Sequence, residues 1–439
     1  RKCQGNCLSV FYLEFLYHGR ESIPGSSGKT GDRRNRICRQ GNALAGDFRK
    51  YAQKQQTSEK DNFEKGCISM KKINMLSKAD MVKGQGVLSA HDEQVALAKE
   101  VMKGQAQILE NSRENCEISH YHSINPEFYL SIGKRKKQGA AVGYVHFLPE
   151  TVENSISLPK PAKQLFYKYM ISFYRKMDYL VTVNPVFIRK LEAYGIPRER
   201  VTYIPNVVSE ENFYPLPGER REKIRRRYNL KKDDFVVLCA GQLQKRKGVF
   251  DFVRTAKKMP DCKFVWAGGF SFGKISEGYE EIRTMMKHLP ANVKFIGLVD
   301  REKMNEIYNM ADVMFLPSYE ELFPMTILEA MNCGVPVLVR NLEDYKPILA
   351  DYALKGETVS DFVKILSQLK EEPEFYQRSA HAAFRGHEFY SREQVGRQWK
   401  AFYQKVFEAQ EEKRVEAAKW EKRRKKGENR WREQERQFI

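Results

Sequence analysis

From residue 71 onward, short apolar runs alternate with amphipathic stretches. Lys72–Leu76, Ile118–His122, Ala141–Phe147, Tyr179–Val183 and Val201–Ile204 read as strands. Between them, Ala90–Met102, Pro161–Met177 and Val186–Tyr194 have helical periodicity. Phe166, Met170, Phe173 and Met177 recur at helical spacing and predict one buried face. Ser77–Ser89 reads as a loop containing Gly84-Gln85-Gly86. Glu210–Lys232 is polar and rich in arginine, and reads as a linker leading into a helix. A second alternation follows. Strands are predicted at Phe235–Ala240, Phe264–Ala267, Val293–Ile296, Val313–Leu316 and Pro336–Val339, and helices at Val249–Lys258, Arg301–Asn309 and Thr326–Asn332. A strand-helix alternation of this kind builds parallel sheets. The fold class is therefore α/β, with two Rossmann-like domains in succession. A long helical stretch follows Tyr390-Ser391, and Glu411–Ile439 carries 11 basic and 7 acidic residues.

Residues 1–69 have a different texture, with no clear period and polar clusters such as Gly25-Ser26-Ser27-Gly28. Glu64-Lys65-Gly66 must be encoded by a purine-rich string like a bacterial ribosome-binding site, close ahead of Met70. The expectation is that 1–69 is a non-native or disordered extension and that Met70 is the natural start. The other divisions expected are 70–205, 206–390, a helix at 391–410 and a charged helical tail at 411–439.

Composition narrows the class. A hydrophobic fraction of 41% excludes a disordered chain, and no apolar run is long enough to span a bilayer. The formal net charge of +20 points to an anionic partner: nucleic acid, an acidic membrane face or phosphate-bearing substrates. The eight cysteines lack the spacing of a disulfide framework, which favours a reducing compartment.

The strongest chemical signal is the string from Leu316 to Leu338. An apolar strand ends at Leu316, a turn carries Glu320 and Glu321, and Pro324 opens a helix that contains Glu329. Free N–H groups at such a helix start, from Met325 and Thr326, suit a diphosphate. Glu321 falls on the sugar side, and Glu329 falls where it can accept hydrogen bonds from ribose hydroxyls.

This string resembles the Glu-x7-Glu motif of family 4 retaining glycosyltransferases, which have the GT-B fold: two Rossmann-like domains facing across a cleft, with a C-terminal helix crossing back to the first. Other matches lie in the family's order. Asn206 follows Ile204-Pro205 at the inter-domain turn. Gly241 through Lys247-Gly248 is similar to the stretch whose basic residues grip the donor diphosphate. Gly268 and Gly297 fall where the family's loops approach the nucleotide. Gly84 and Gly86 occupy the first loop, and His146 stands at a strand end near the sugar. Two departures are plain: Gln242 replaces the usual Arg, passing its role to Arg246, and Leu322-Phe323-Pro324 replaces Gly-Phe-Gly.

The resemblance implies Glu321, His146, Lys247 and Arg246 as catalytic groups. It implies Gly84, Gly86, Gly241, Lys247, Gly268, Gly297, Phe323, Met325, Thr326 and Glu329 around the donor. Retention is implied, with no metal and no cofactor beyond a UDP-sugar as donor substrate. The texture around Ile73–Gly86, His120–His122 and Tyr144–Glu150 is similar to bacterial glycolipid synthases that glucosylate diacylglycerol or glucosyldiacylglycerol. A membrane glycolipid acceptor is thus expected, met through Lys134, Arg135, Lys136, Lys137, Lys163, Lys168 and Arg175 on an anionic membrane surface. The expected place is cytoplasmic, on the inner face of the plasma membrane. The alternatives are the same fold acting on a cell-wall, capsule or other soluble acceptor, and a nucleic-acid-binding protein. The latter leaves the Glu321/Glu329 string unexplained, so no nucleic acid is expected.

Overall fold

A computed structural model describes residues 70–78, 86–152, 160–270, 273 and 276–437. The expectations for 1–69, Gly84 and the last two residues lie outside the described residues. The body holds two all-parallel sheets of six strands each. The first comprises β1 (Lys71–Leu76), β2 (Ala106–Glu110), β3 (Ile118–Tyr121), β4 (Ala140–Val145), β5 (Tyr179–Thr182) and β6 (Val201–Tyr203), in the order β2-β1-β3-β4-β5-β6. Its helices are α1 (Gly86–Val101), α2 (Pro126–Lys136), the single turn α3 (Pro149–Val152), α4 (Lys160–Arg175) and α5 (Val186–Ala193).

The second sheet comprises β7 (Phe235–Ala240), β8 (Cys262–Ala267), β9 (Val293–Gly297), β10 (Val313–Leu316), β11 (Val337–Arg340) and β12 (Leu354–Gly356). Their order is β12-β11-β10-β7-β8-β9. The accompanying helices are α6 (Gly218–Arg227), α7 (Val249–Lys258), α8 (Tyr279–Met286), α9 (Arg301–Met310), α10 (Met325–Asn332), α11 (Lys346–Leu349), α12 (Val359–Glu371), α13 (Pro373–Phe389) and α14 (Arg392–Gln437). Strand order reverses between β7 and β10, so their carboxyl ends open the crevice where such sheets take ligands.

The central strands are buried on both faces and mostly apolar, as in Val236–Ala240, although β1 and β3 also bury Asn74, Ser119 and His120. Edge strands are less visible in the sequence. In β2, Gln107 and Glu110 are exposed, so Ala106–Glu110 carries no continuous apolar run. The loop expected at Ser77–Ser89 is shorter, because α1 already begins at Gly86. The polar stretch at Glu210–Lys232 contains α6, whose Arg221 and Arg225 both pair with Asp312 at 2.6 and 2.7 Å.

Helix α14 returns to the first domain. Trp399, Tyr403 and Val406 are fully buried, and Tyr403 meets Gln94 of α1 at 3.2 Å and His120 of β3 at 3.0 Å. Beyond Phe407 it continues without a break to Gln437, so the crossing-back segment and the charged tail are one helix.

Candidate active site

The reversal point brings together two segments that lie far apart in the sequence. After β7, Gly241–Gln244 leads into a 3₁₀ turn at Lys245–Lys247. After β10, Pro317–Phe323 leads into α10. Lys247 Nζ forms an ion pair with Glu321 Oε1, and both side chains are nearly buried, at 13% and 7% exposure. Burial pushes the Lys247 ammonium down, and Glu321 pulls it back. Burial likewise favours the neutral Glu321 acid, but the charges of Lys247 and Arg246 outweigh it and hold the carboxyl below its usual range. The pair is therefore ionised in a dry setting, where its field is strongest. Arg246 Nη1 donates to the Glu320 carbonyl at 3.2 Å, which fastens the same two segments.

Gly248 is what lets these segments approach. It has φ +73°, and a Cβ there would come within 2.1 Å of the Pro317 carbonyl oxygen. A clamp centred on the buried Asp251 holds the Pro317–Glu321 loop from the other side. Asp251 accepts from Tyr319 Oη and from Arg340 Nη2, each at 2.5 Å. The Arg340 guanidinium lies 4.0 Å from the Tyr319 ring centroid, and its Nε donates to Pro317 O at 3.2 Å.

The expected glycines form one backbone layer under the crevice. Gly241 N donates to Ala267 O at 2.9 Å, and Gly268 N donates to Gly297 O at 2.8 Å. Gly268 has φ +144°, and a Cβ there would sit 1.9 Å from the Gly241 carbonyl oxygen. Gly268→Ala is therefore expected to push these loops apart and destabilise the fold by about 1–3 kcal/mol. A urea titration of the variant checks it, and an unchanged midpoint would show the layer to be tolerant. Gly86 opens α1.

Three expectations change. Phe323 is only 3% exposed, and its ring packs on Tyr390 at 4.8 Å, so its side chain belongs to the core. An apolar ring between two domains gains more from burial than from facing a phosphate. Pro324 caps α10 with ψ 133° instead of opening it, and the helix begins at Met325. Met325 and Thr326 still supply the first free N–H groups of that helix. Glu329, expected to stand ready for ribose hydroxyls, is already engaged. It accepts from Arg301 Nη1 at 2.9 Å and from Tyr308 Oη at 2.6 Å. Each carboxylate oxygen retains a second lone pair.

Asn184 of the first domain and Asn206 of the inter-domain turn hold the motif turn. Asn184 Nδ2 donates to Leu322 O at 2.9 Å, and Asn206 Nδ2 donates to Phe323 O at 2.9 Å. His146 follows the end of β4, with its ring 4.3 Å from Tyr144 and 5.8 Å from His122. Among the described residues its Nε2 has no hydrogen-bond partner. Burial pushes the pKa values of His120 and His146 down to about 3, so both are neutral near pH 7. In the unfolded chain they regain an ordinary value near 6.5. Between about pH 6.5 and about 3 the unfolded chain thus binds more protons, and stability falls as pH falls through this window. Urea midpoints measured across it should decline, and a flat profile would contradict the burial.

The residues expected at a membrane separate into two sets. Arg175 donates from Nε and Nη2 to Tyr194 O, capping the end of α5. Arg135 donates to Ser112 O, and Lys136 pairs with Asp178 at 2.8 Å. These three are tied into the domain. Lys134, Lys137 and Lys168 are exposed, Lys163 is half-buried, and Leu130 and Leu165 stand out at 82% and 71% exposure on α2 and α4. The two helices touch through Tyr129, which meets Ser172 at 2.8 Å. Tyr174, by contrast, is core and donates to Phe147 O.

Sequence reading missed Arg301, Tyr308, Asn184, Asp251 and Arg340. Asn184-Pro185 after a strand was a signal for one of them. The others carry no local pattern.

Comparison with known proteins places this geometry. Residues 103–212 match the model described as Glycosyltransferase Family 4, and residues 220–385 match that of Glycosyl transferases group 1. The alpha-galactosylglucosyldiacylglycerol synthase of Streptococcus pneumoniae is 42% identical over 334 residues, covering 76% of this chain and 89% of that one. The processive diacylglycerol alpha-glucosyltransferase of Acholeplasma laidlawii is 26% identical, covering 57% and 74%. Among solved structures, Anabaena HepE in complex with UDP-glucose matches with a TM-score of 0.61 at 14% identity, over 76% of this chain and 99% of that one. Sucrose-phosphate synthase from Thermosynechococcus elongatus matches at 0.62 and 16% identity, over 77% and 100%. These two speak for the fold alone. Two parallel Rossmann-like sheets, a Glu-x7-Glu turn at the second sheet's reversal point and this degree of identity make the chain a member of the family 4 glycosyltransferases, in the GT-B form.

Proposed function

We propose that this glycosyltransferase moves a hexose from a UDP-sugar, in α-linkage and with retention, onto a glycerolipid acceptor such as diacylglycerol or glucosyldiacylglycerol. The hexose is glucose on the sequence reading; the name of the Streptococcus pneumoniae relative argues for testing galactose beside it. The observation that carries the reading is the buried Lys247–Glu321 pair at the reversal point of the second sheet. A carboxylate held ionised there accepts sugar hydroxyls. Lys247, Arg246 and the N–H groups of Met325 and Thr326 stabilise charge that develops on the departing diphosphate. With two cations in that role, transfer proceeds without a metal ion or other cofactor. The bond between the anomeric carbon and the diphosphate oxygen breaks as the acceptor oxygen attacks from the same face, and the leaving oxygen takes the acceptor's proton. Neutral His146 binds a sugar hydroxyl across the cleft.

The acceptor is met at a membrane. No helix among the described residues is long and apolar enough to cross one. The face of α2 and α4 that carries Leu130, Leu165, Lys134, Lys137, Lys163 and Lys168 has the mix of apolar tips and bases that a peripheral enzyme uses on anionic lipid. The enzyme then works from the cytoplasmic side of the plasma membrane.

One experiment tests the whole reading. The protein is incubated with UDP-glucose, UDP-galactose and GDP-mannose against diacylglycerol, glucosyldiacylglycerol and a soluble polymer acceptor, with anionic vesicles present or absent. Transfer from a UDP-hexose to a glycerolipid, enhanced by the vesicles, is the expected result. Transfer to the soluble acceptor alone would overturn the lipid reading and leave the family untouched.

A further inference from the structure

Glu93 lies on α1 of the first domain, and its side chain is only 5% exposed. Its Oε1 accepts from Arg301 Nη2 at 2.8 Å, and Arg301 lies on α9 of the second domain. The other arm of the same guanidinium, Nη1, donates to Glu329 Oε1 at 2.9 Å. One planar fork therefore serves two carboxylates, one from each domain. The second oxygen of Glu93 has partners of a particular kind. It accepts from the backbone N–H of Ser209 at 3.0 Å, in the chain's first crossing between domains. It also pairs at 3.5 Å with Arg392, where the second crossing enters α14. Glu93 is thus the point where both crossings are tied, and Arg301 links that point to the carboxylate expected at the ribose.

Helices α9 and α10 belong to one domain, so the Arg301–Glu329 contact survives a rotation of one domain against the other. The Arg301–Glu93 contact does not. With both carboxylates nearly buried, loss of either contact leaves a negative charge short of its partner, which is costly in a dry setting. We propose that Arg301 is a positioning residue: it orients Glu329 for the donor's ribose hydroxyls and, through Glu93, couples nucleotide binding to the orientation of the two domains. This rests on the donor site described under the proposed function.

By linkage, a nucleotide that favours one domain arrangement must itself be favoured by that arrangement. Glu93 has no place in the donor site, yet its charge should be felt there. The test uses the full chain with Glu93→Gln, Arg301→Gln, Arg301→Lys and the Glu93→Gln/Arg301→Gln double variant. UDP affinity is measured by calorimetry, the UDP-sugar KM and kcat by transfer or donor hydrolysis, and domain separation by energy transfer between dyes on the two domains. Glu93→Gln should weaken UDP on the order of tenfold, with the effect on KM rather than kcat. Arg301→Gln should weaken it at least as much, and the double variant no further than Arg301→Gln alone. The change in energy transfer on adding UDP, present in the parent protein, should disappear in each. Arg301→Lys keeps a charge but reaches only one carboxylate, so it should fold normally and still lose the coupling. Unchanged UDP affinity in Glu93→Gln, or losses that simply add, would remove the coupling and leave the donor site standing. A parent protein that binds no UDP at all would remove both.

Discussion

Lys247→Ala should lower turnover by about a hundred- to a thousandfold, with donor hydrolysis falling alongside transfer. On the proposed mechanism the ammonium stabilises charge on the departing diphosphate, from a nearly buried position beside Glu321. Arg246 shares that role but also holds the motif turn through the Glu320 carbonyl, so it cannot take the lysine's position as well. The substitution has a second consequence. It takes from Glu321, 7% exposed, its ion-pair partner and leaves only the charge of Arg246 nearby, a change that costs up to about 3–5 kcal/mol when a buried pair is broken. Activity and stability must therefore be read separately, with kcat measured well below the variant's melting temperature. Glu321→Gln supplies the complement: it removes the carboxylate's charge while nearly preserving shape. Near-normal turnover in either variant, with the fold intact, would rule out the assigned chemistry.

Trp399→Ala is expected to cost about 3–5 kcal/mol in a urea titration. The indole is fully buried between the first sheet and α14. It stacks on Tyr403 at 5.4 Å and touches His120 and Tyr144 at 5.4 and 5.5 Å. Truncation leaves a large cavity between α14 and the rigid strands of the first sheet, which relax little. It also loosens the one helix that returns from the second domain to the first, so domain closure should suffer with stability. A midpoint within experimental scatter of the parent's would mean that α14 is held by other contacts and that the clasp is not a unit.

Both expectations combine local sequence with long-range contact in different proportions. The strands of each sheet's centre were legible because they are buried on both faces and are mostly apolar, as in β7. Strands β2 and β12 were not, because these two short edge strands carry Gln107, Glu110 or Lys355 where the strand meets water, whereas the edge strands β6 and β9 keep enough apolar residues to be read. The Glu321–Glu329 string was legible because its parts are consecutive: a strand end, a turn and a helix start each have local chemistry. The pairing of Lys247 with Glu321 is not of that kind. The two residues are 74 positions apart and meet only because β7 and β10 are neighbours at the sheet's reversal point.

The sequence alone determined the α/β class, the two successive domains, the long helix after Tyr390-Ser391 and the identity of the residues at the motif. These follow from burial periods and turn chemistry, which act over a few residues. Tertiary structure alone decided that Phe323 turns into the core, that Glu329 is shared with Arg301, and that Glu93 ties both domain crossings. Those outcomes depend on which charges and apolar faces are brought together when two domains dock. No local pattern records a partner 208 residues away, as Arg301 is from Glu93.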